Sequence, residues 1–133
     1  MFSILYLFTA LNQGNLIVTL NNEPEEAHER LAGNYTLAPN MVNEKKHWLQ
    51  NGGTYDIWHC KSPTVWIIGS QSDIDSTTCK GWIHTIGDST GPETATGWNY
   101  HKSGSWHVSN DTDVLVELGN IAVSSRFCLF STN

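Results

Sequence analysis

Two β-rich runs with a break between them most constrain what this chain can fold into. Thr54 to Ser70 reads Thr-Tyr-Asp-Ile-Trp-His-Cys-Lys-Ser-Pro-Thr-Val-Trp-Ile-Ile-Gly-Ser. In an extended chain successive side chains point to opposite faces. Tyr55, Ile57 and His59 therefore share one side, and Asp56, Trp58 and Cys60 share the other. Thr64 to Ile68 is a dense β-branched and aromatic run, closed by Gly69. Lys61-Ser62-Pro63 between the runs is turn chemistry, because proline has no N–H to give a ladder and fixes its own φ. The pattern predicts a β-hairpin at the centre of a small sheet.

The flanking chain repeats the pattern. Gly33 to Ala38 alternates and ends at Pro39-Asn40, which reads as a strand and a turn. Val42-Asn43 and His47 to Gln50 make a second short strand, with polar Glu44-Lys45-Lys46 between them. Asn51-Gly52-Gly53 takes φ > 0 cheaply and predicts a hairpin turn into Tyr55. Ser70 to Lys80 reads as a polar loop, and Gly81 to Ile86 as the next strand. Gly87 to Gly97 is a long loop. Trp98 to His101 and Trp106 to Val108 form a hairpin around Lys102-Ser103-Gly104, and Asn110-Asp111 turns the chain into Val114 to Glu117. The expectation is an all-β antiparallel sandwich or barrel of about eight short strands, with Tyr35, Tyr55, Ile57, Trp66, Ile68, Trp82 and Trp98 packed inward.

With 133 residues the chain is long enough for one domain and not two. Only 15% of residues are charged and the formal net charge is −6, with seven scattered Lys and Arg. That argues against a nucleic-acid partner, since phosphate binding needs a basic footprint. It also argues against adsorption on an anionic membrane. The apolar run Phe2 to Leu11 is too short to span a bilayer as a helix. It has the length of a signal-peptide core but lacks a basic leading segment. A signal, an extra strand, a docked tail and an imperfect gene model all stay open for residues 1–20, and Ile17 to Leu20 is a candidate strand. Asn22 to Arg30 is acidic, and reads either as a short helix capped by Asn22 with Pro24 in its first turn or as a linker. The expected organisation is an N-terminal segment and linker over 1–30, an all-β module over 31–117, and an apolar tail or closing strand over 118–133.

Gly33-x-Tyr35, Val42-Asn43, Trp48, Tyr55-x-Ile57, Val65-Trp66-Ile67-Ile68-Gly69, Pro92 and Trp98 together resemble a small Trp-rich all-β module, often in tandem, in deduced proteins of marine invertebrates and protists. That module carries the pattern Val-Asn-Gly-Arg-Pro-Val, then Trp-x-Ile-Gly, then Pro, then Trp. The likeness spans roughly 31 to 117. Here Glu44-Lys45-Lys46-His47 replaces the Gly-Arg-Pro-Val turn, which leaves the register of the first hairpin open. The resemblance implies one copy of an extracellular or surface module with the apolar ends outside it. It implies no catalytic residues.

Three cysteines occur, Cys60, Cys79 and Cys128, with no Cys-x-x-Cys pair. This spacing disfavours a zinc ribbon and suits one disulfide, Cys60 to Cys79, with Cys128 left over. Three reduced buried thiols remain the alternative. Asn34-Tyr35-Thr36 and Asn110-Asp111-Thr112 are N-glycosylation sequons, and Asn34 must face solvent if Tyr35 faces in. Six histidines lack the spacing that would gather a metal site, so no metal and no cofactor are expected. Asp73-x-Asp75 lacks the Gly and distal Glu of a calcium loop. No Gly-x-Ser-x-Gly elbow or carboxylate cleft is legible, which makes an enzyme, for instance a small hydrolase, the least favoured reading.

Six tryptophans exceed what such a core needs. Exposed aromatic rings are platforms for a sugar ring or anchors for a protein partner. Trp48, Trp58, Trp106 and Tyr100 are the candidate ligand-binding residues. The expectation is a non-enzymatic extracellular or cell-surface binding and adhesion module for a glycan or protein. The alternative is a subunit of an extracellular filament or matrix, self-associating through its apolar ends by strand addition.

Overall fold

The structure, a computed structural model, describes residues 14–21, 26–74, 78–109 and 113–119. Nine strands lie among them: β1 (Asn15–Leu20), β2 (Gly33–Val42), β3 (Lys45–Gln50), β4 (Tyr55–Lys61), β5 (Thr64–Ser70), β6 (Ile83–Thr85), β7 (Trp98–Lys102), β8 (Ser105–Ser109) and β9 (Val114–Leu118). All join one antiparallel sheet in the order β8-β7-β6-β5-β4-β3-β2-β1-β9. The all-β expectation is met. The eight expected strands are present, and β1 adds a ninth from Ile17 to Leu20 and its neighbours. The sheet therefore starts upstream of residue 31, because β1 pairs with both β2 and β9. Of the acidic segment, residues 22–25, which carry the expected Asn22 cap and Pro24, lie outside the described residues, and Glu26–Leu31 forms a 3-10 turn.

The sheet curls until it is nearly closed. One interior cluster draws Leu16 and Val18 from β1, Tyr35 from β2, Trp48 from β3, Ile57 from β4, Trp66 and Ile68 from β5, Ile83 from β6, Trp98 from β7, and Val114 and Val116 from β9. A flat sheet would not bring β7 and β9 into one core. Tyr35 is fully buried, and its hydroxyl donates to the Leu31 carbonyl at 2.6 Å, which locks the Glu26–Leu31 turn onto the barrel end.

Alternation divides the central hairpin between two cores. Ile57 and Ile68 face in, while Trp58, Cys60, Val65 and Ile67 form a second cluster on the outer face. Ile74 and Cys79 pack onto that outer cluster, and a Cys60–Cys79 disulfide ties their segment to β4 with a Cα separation of 5.8 Å. Gly69 makes the close fit possible. A Cβ there would sit 2.9 Å from the Gly81 backbone and 3.1 Å from the Trp58 ring.

Three of the expectations change. Pro39-Asn40 is not a turn: β2 runs through it with a register shift between Leu37 and Met41. The turn falls at Asn43 and Glu44, both at positive φ (53° and 67°), and Val42 pairs with Lys45. Trp82 is 44% exposed instead of inward, because adjacent Ile83 takes the interior position and neighbours in a strand face opposite ways. The Asn51 to Gly53 hairpin stands as expected, with Gly52 at φ 71°.

Candidate functional site

The outer face of β6, β7 and β8 carries the most open aromatic cluster. The β7–β8 hairpin turns on Ser103 and Gly104, at φ 51° and 82°, the conformation that matches strand twist. This register sets Trp106 opposite His101. Trp106 is 50% exposed; its ring centroid lies 4.4 Å from His84 and 5.4 Å from His101. Beside it a groove of about 230 Å³ is lined by Pro63, Val65, Ile67, Cys79, Gly81 and His84. The site thus sits where the disulfide-tied segment meets the β8 edge.

The four candidate aromatics do not converge. Tyr100 pairs with His107, and its ring stacks on that imidazole at 5.6 Å on the interior side, opposite to Trp106. Trp48 is no exposed platform: it is 5% exposed and packs on Trp66 at 5.9 Å inside the barrel. Trp48 stands opposite Leu37 on β2 and Ile57 on β4, which gives it the interior face. Trp58 does point outward, but Ile67, Ile74 and their neighbours cover it completely. Asn34 is exposed while Tyr35 is buried, the alternation its sequon requires. Asn110 and Cys128 lie outside the described residues, as do residues 1–13 and 120–133.

A larger cleft of about 470 Å³ opens at one barrel end, between the β2–β3 turn, the loop after β6 and the end of β9. Trp48 and Trp66 form its floor; Lys45, Lys46 and Glu93 stand on its rim. The loop is held by side chains. Trp66 Nε1 donates to the Ser89 carbonyl at 3.0 Å, and His59 Nε2 lies 2.8 Å from Asp88 Oδ1. The His59 bond keeps the Asp88 carboxyl below its ordinary range.

A second His–Asp pair is buried on the outer face. His47 Nδ1 lies 3.0 and 3.1 Å from the Asp56 oxygens, and Nε2 lies 3.0 Å from Asn40 Oδ1. Burial pushes the Asp56 carboxyl up to about 6, against the opposing pull of His47 and the Ile57 N–H. The short contacts of these imidazoles are to Asn40, Asp56 and Asp88; none of them is a hydroxyl or thiol. The pairs have no separate sequence motif. His47 and Asp56 become diagonal neighbours only once Leu49 is set opposite Asp56. Among the described residues no three His, Cys, Asp or Glu side chains gather as a metal site. No helix among them is long and apolar enough to cross a membrane.

Comparison with protein-family models, with curated proteins and with solved structures found no match to this chain.

Proposed function

We propose that the chain is an extracellular binding module that takes a glycan on the β6–β8 outer face, with Trp106 as the stacking platform. The observation that carries this reading is a half-exposed indole held between two imidazoles beside a groove. A sugar ring offers an apolar C–H face to stack on the indole. Its hydroxyls need donors and acceptors near the ring plane, which His84 and His101 supply. The Cys60–Cys79 disulfide and the solvent-facing Asn34 sequon support a secreted setting. A protein ligand would use the same ring as an anchor, with less use for the flanking imidazoles.

The test is a glycan array followed by titration, read by tryptophan fluorescence. Trp106→Ala should abolish the signal. Trp82→Ala should keep it, since Trp82 is also exposed but packs edge-to-face on His28 and does not line the groove. No glycan bound by the native protein, or equal binding by both variants, overturns the reading.

A further inference from the structure

Among the described residues, strand β8 ends one side of the sheet. Its residues Ser105, Trp106, His107 and Val108 are all exposed. Edge strands normally carry a Lys, a Pro or a bulge that blocks pairing with another chain. Ser105–Ser109 has none of these: it reads Ser-Trp-His-Val-Ser, with no Lys, Arg, Asp or Glu, and with Trp106 50% and Val108 70% exposed.

The hairpin fixes which backbone groups are free. In a two-residue turn the flanking residues, Lys102 and Ser105, form a hydrogen-bonded pair, and bonded and non-bonded pairs then alternate along the ladder. Tyr100–His107 and Trp98–Ser109 are therefore bonded pairs, while His101–Trp106 and Asn99–Val108 are not. Trp106 and Val108 accordingly turn their N–H and C=O groups away from β7, toward the open edge.

We infer that this edge is a homodimer interface, in which β8 pairs antiparallel with β8 of a second copy about a two-fold axis through His107. The sequence is self-complementary in that register. Ser105 falls opposite the partner's Ser109, His107 opposite the partner's His107, and Trp106 opposite the partner's Val108. The residues with free backbone groups are the ones that meet, so Trp106 exchanges both its backbone hydrogen bonds with the partner's Val108, and the reverse holds at the other end. Residues directly opposite share a face, so each exposed indole is covered in part by a valine. The same patch serves both copies, as a closed two-fold interface demands. Shifting the register by one residue would set Trp106, free at the edge, against a residue whose backbone groups are already used. The two Trp106 faces would then lie on one continuous sheet surface, which makes any ligand site there bivalent. The dimer stands without the glycan reading, since its contacts are backbone hydrogen bonds and the Trp106–Val108 pair, and none of them needs a ligand.

Sedimentation of the full chain from micromolar to millimolar concentration tests this, with two kinds of variant. Val108→Pro removes an N–H that the β7–β8 ladder does not use, so the monomer should keep its thermal midpoint and near-ultraviolet spectrum while the dimer is lost. In a Cys128→Ser background, His107→Cys should form an interchain disulfide under mild oxidation, because non-bonded antiparallel pairs bring Cα atoms to about 4.5 Å, within disulfide reach. Ser105→Cys, which faces the partner's Ser109, should not. Dimer in the native chain, loss in Val108→Pro and selective cross-linking at 107 are expected. A monomer at every concentration overturns the inference, and slow β8 amide exchange in that monomer would mean another part of the chain covers the edge. A dimer indifferent to Val108→Pro, or cross-linking equal at 105 and 107, overturns it too. Single-site glycan binding should survive Val108→Pro, which removes the dimer, and the dimer should form with no glycan present, so the two readings fail separately.

Discussion

Thr85 should be the hinge between the sheet and the long loop, and Thr85→Val is its sharpest test. β6 pairs with β5 only at Ile83 and His84. One step on, the Trp66 N–H donates to the Thr85 side chain, Oγ1, at 3.0 Å. The same hydroxyl donates to the Gly87 carbonyl at 2.7 Å, which starts the turn out of the sheet. Thr85 is 1% exposed, so no bulk water replaces the hydroxyl. Valine has the same shape, so no cavity opens, and what is lost is the polar bridge. An orphaned buried N–H costs about 1–3 kcal/mol, and about 2 kcal/mol is the expected loss. For a chain of this size that lowers the thermal midpoint by about 6 °C. Thr85→Ser keeps the hydroxyl and loses one methyl, which costs about 1 kcal/mol. The assay is denaturant unfolding, read as a shift in midpoint at constant slope. Apolar burial alone predicts the reverse order, with valine at least as stable as threonine. If Thr85→Val matches the native protein while Thr85→Ser does not, the bridging argument is refuted. Amide exchange should also quicken in residues 86–97, since Trp66 holds that loop through Ser89.

Three further outcomes are expected. Reducing Cys60–Cys79, or replacing Cys79 with Ser, should cost about 3 kcal/mol for a span of 19 residues and shift tryptophan emission to the red as Trp58 loses its cover; unchanged emission would mean that the segment stays in place unaided. Asp56 holds its proton more tightly folded (about 6) than at its ordinary 3.8, so its contribution to stability is full below about pH 4 and falls as pH rises through 6. The difference in unfolding free energy between the native protein and Asp56→Asn should therefore fall by about 2 kcal/mol from pH 4 to 7, and a flat difference would sink the assignment. Glu44→Gly should stabilise by about 0.5–1 kcal/mol by relieving a positive φ, whereas Asn43→Gly should not, because Asn43 Nδ2 donates to the His59 carbonyl at 2.9 Å; both are read by thermal melts.

What was legible in the residues, and what was not, follows from how far each signal reaches. Period-two alternation is local, so Ile57 against Trp58 and Ile67 against Ile68 were assigned to opposite faces correctly. So were turns with cheap positive φ, Gly52 and Gly104 among them. The β2–β3 turn escaped because Glu44 takes a left-handed conformation without being glycine, while Pro39-Asn40 advertised a turn and became a bulge. Trp48 was read as outward although the legible Asn51–Gly53 hairpin sets it opposite inward Ile57, since register decides the face of every residue in a strand. Trp58 failed for a different reason. Its outward direction was legible, but facing outward means exposure only where nothing covers the sheet, and cover depends on a disulfide-tied segment from beyond β5. Trp106 stays a candidate because, among the described residues, β8 is last in the sheet order and the ring is half-exposed. The edge position that leaves its ring open to a ligand also leaves its backbone open to a second copy. One local fact, a hairpin of fixed register ending a sheet, therefore underlies both proposals.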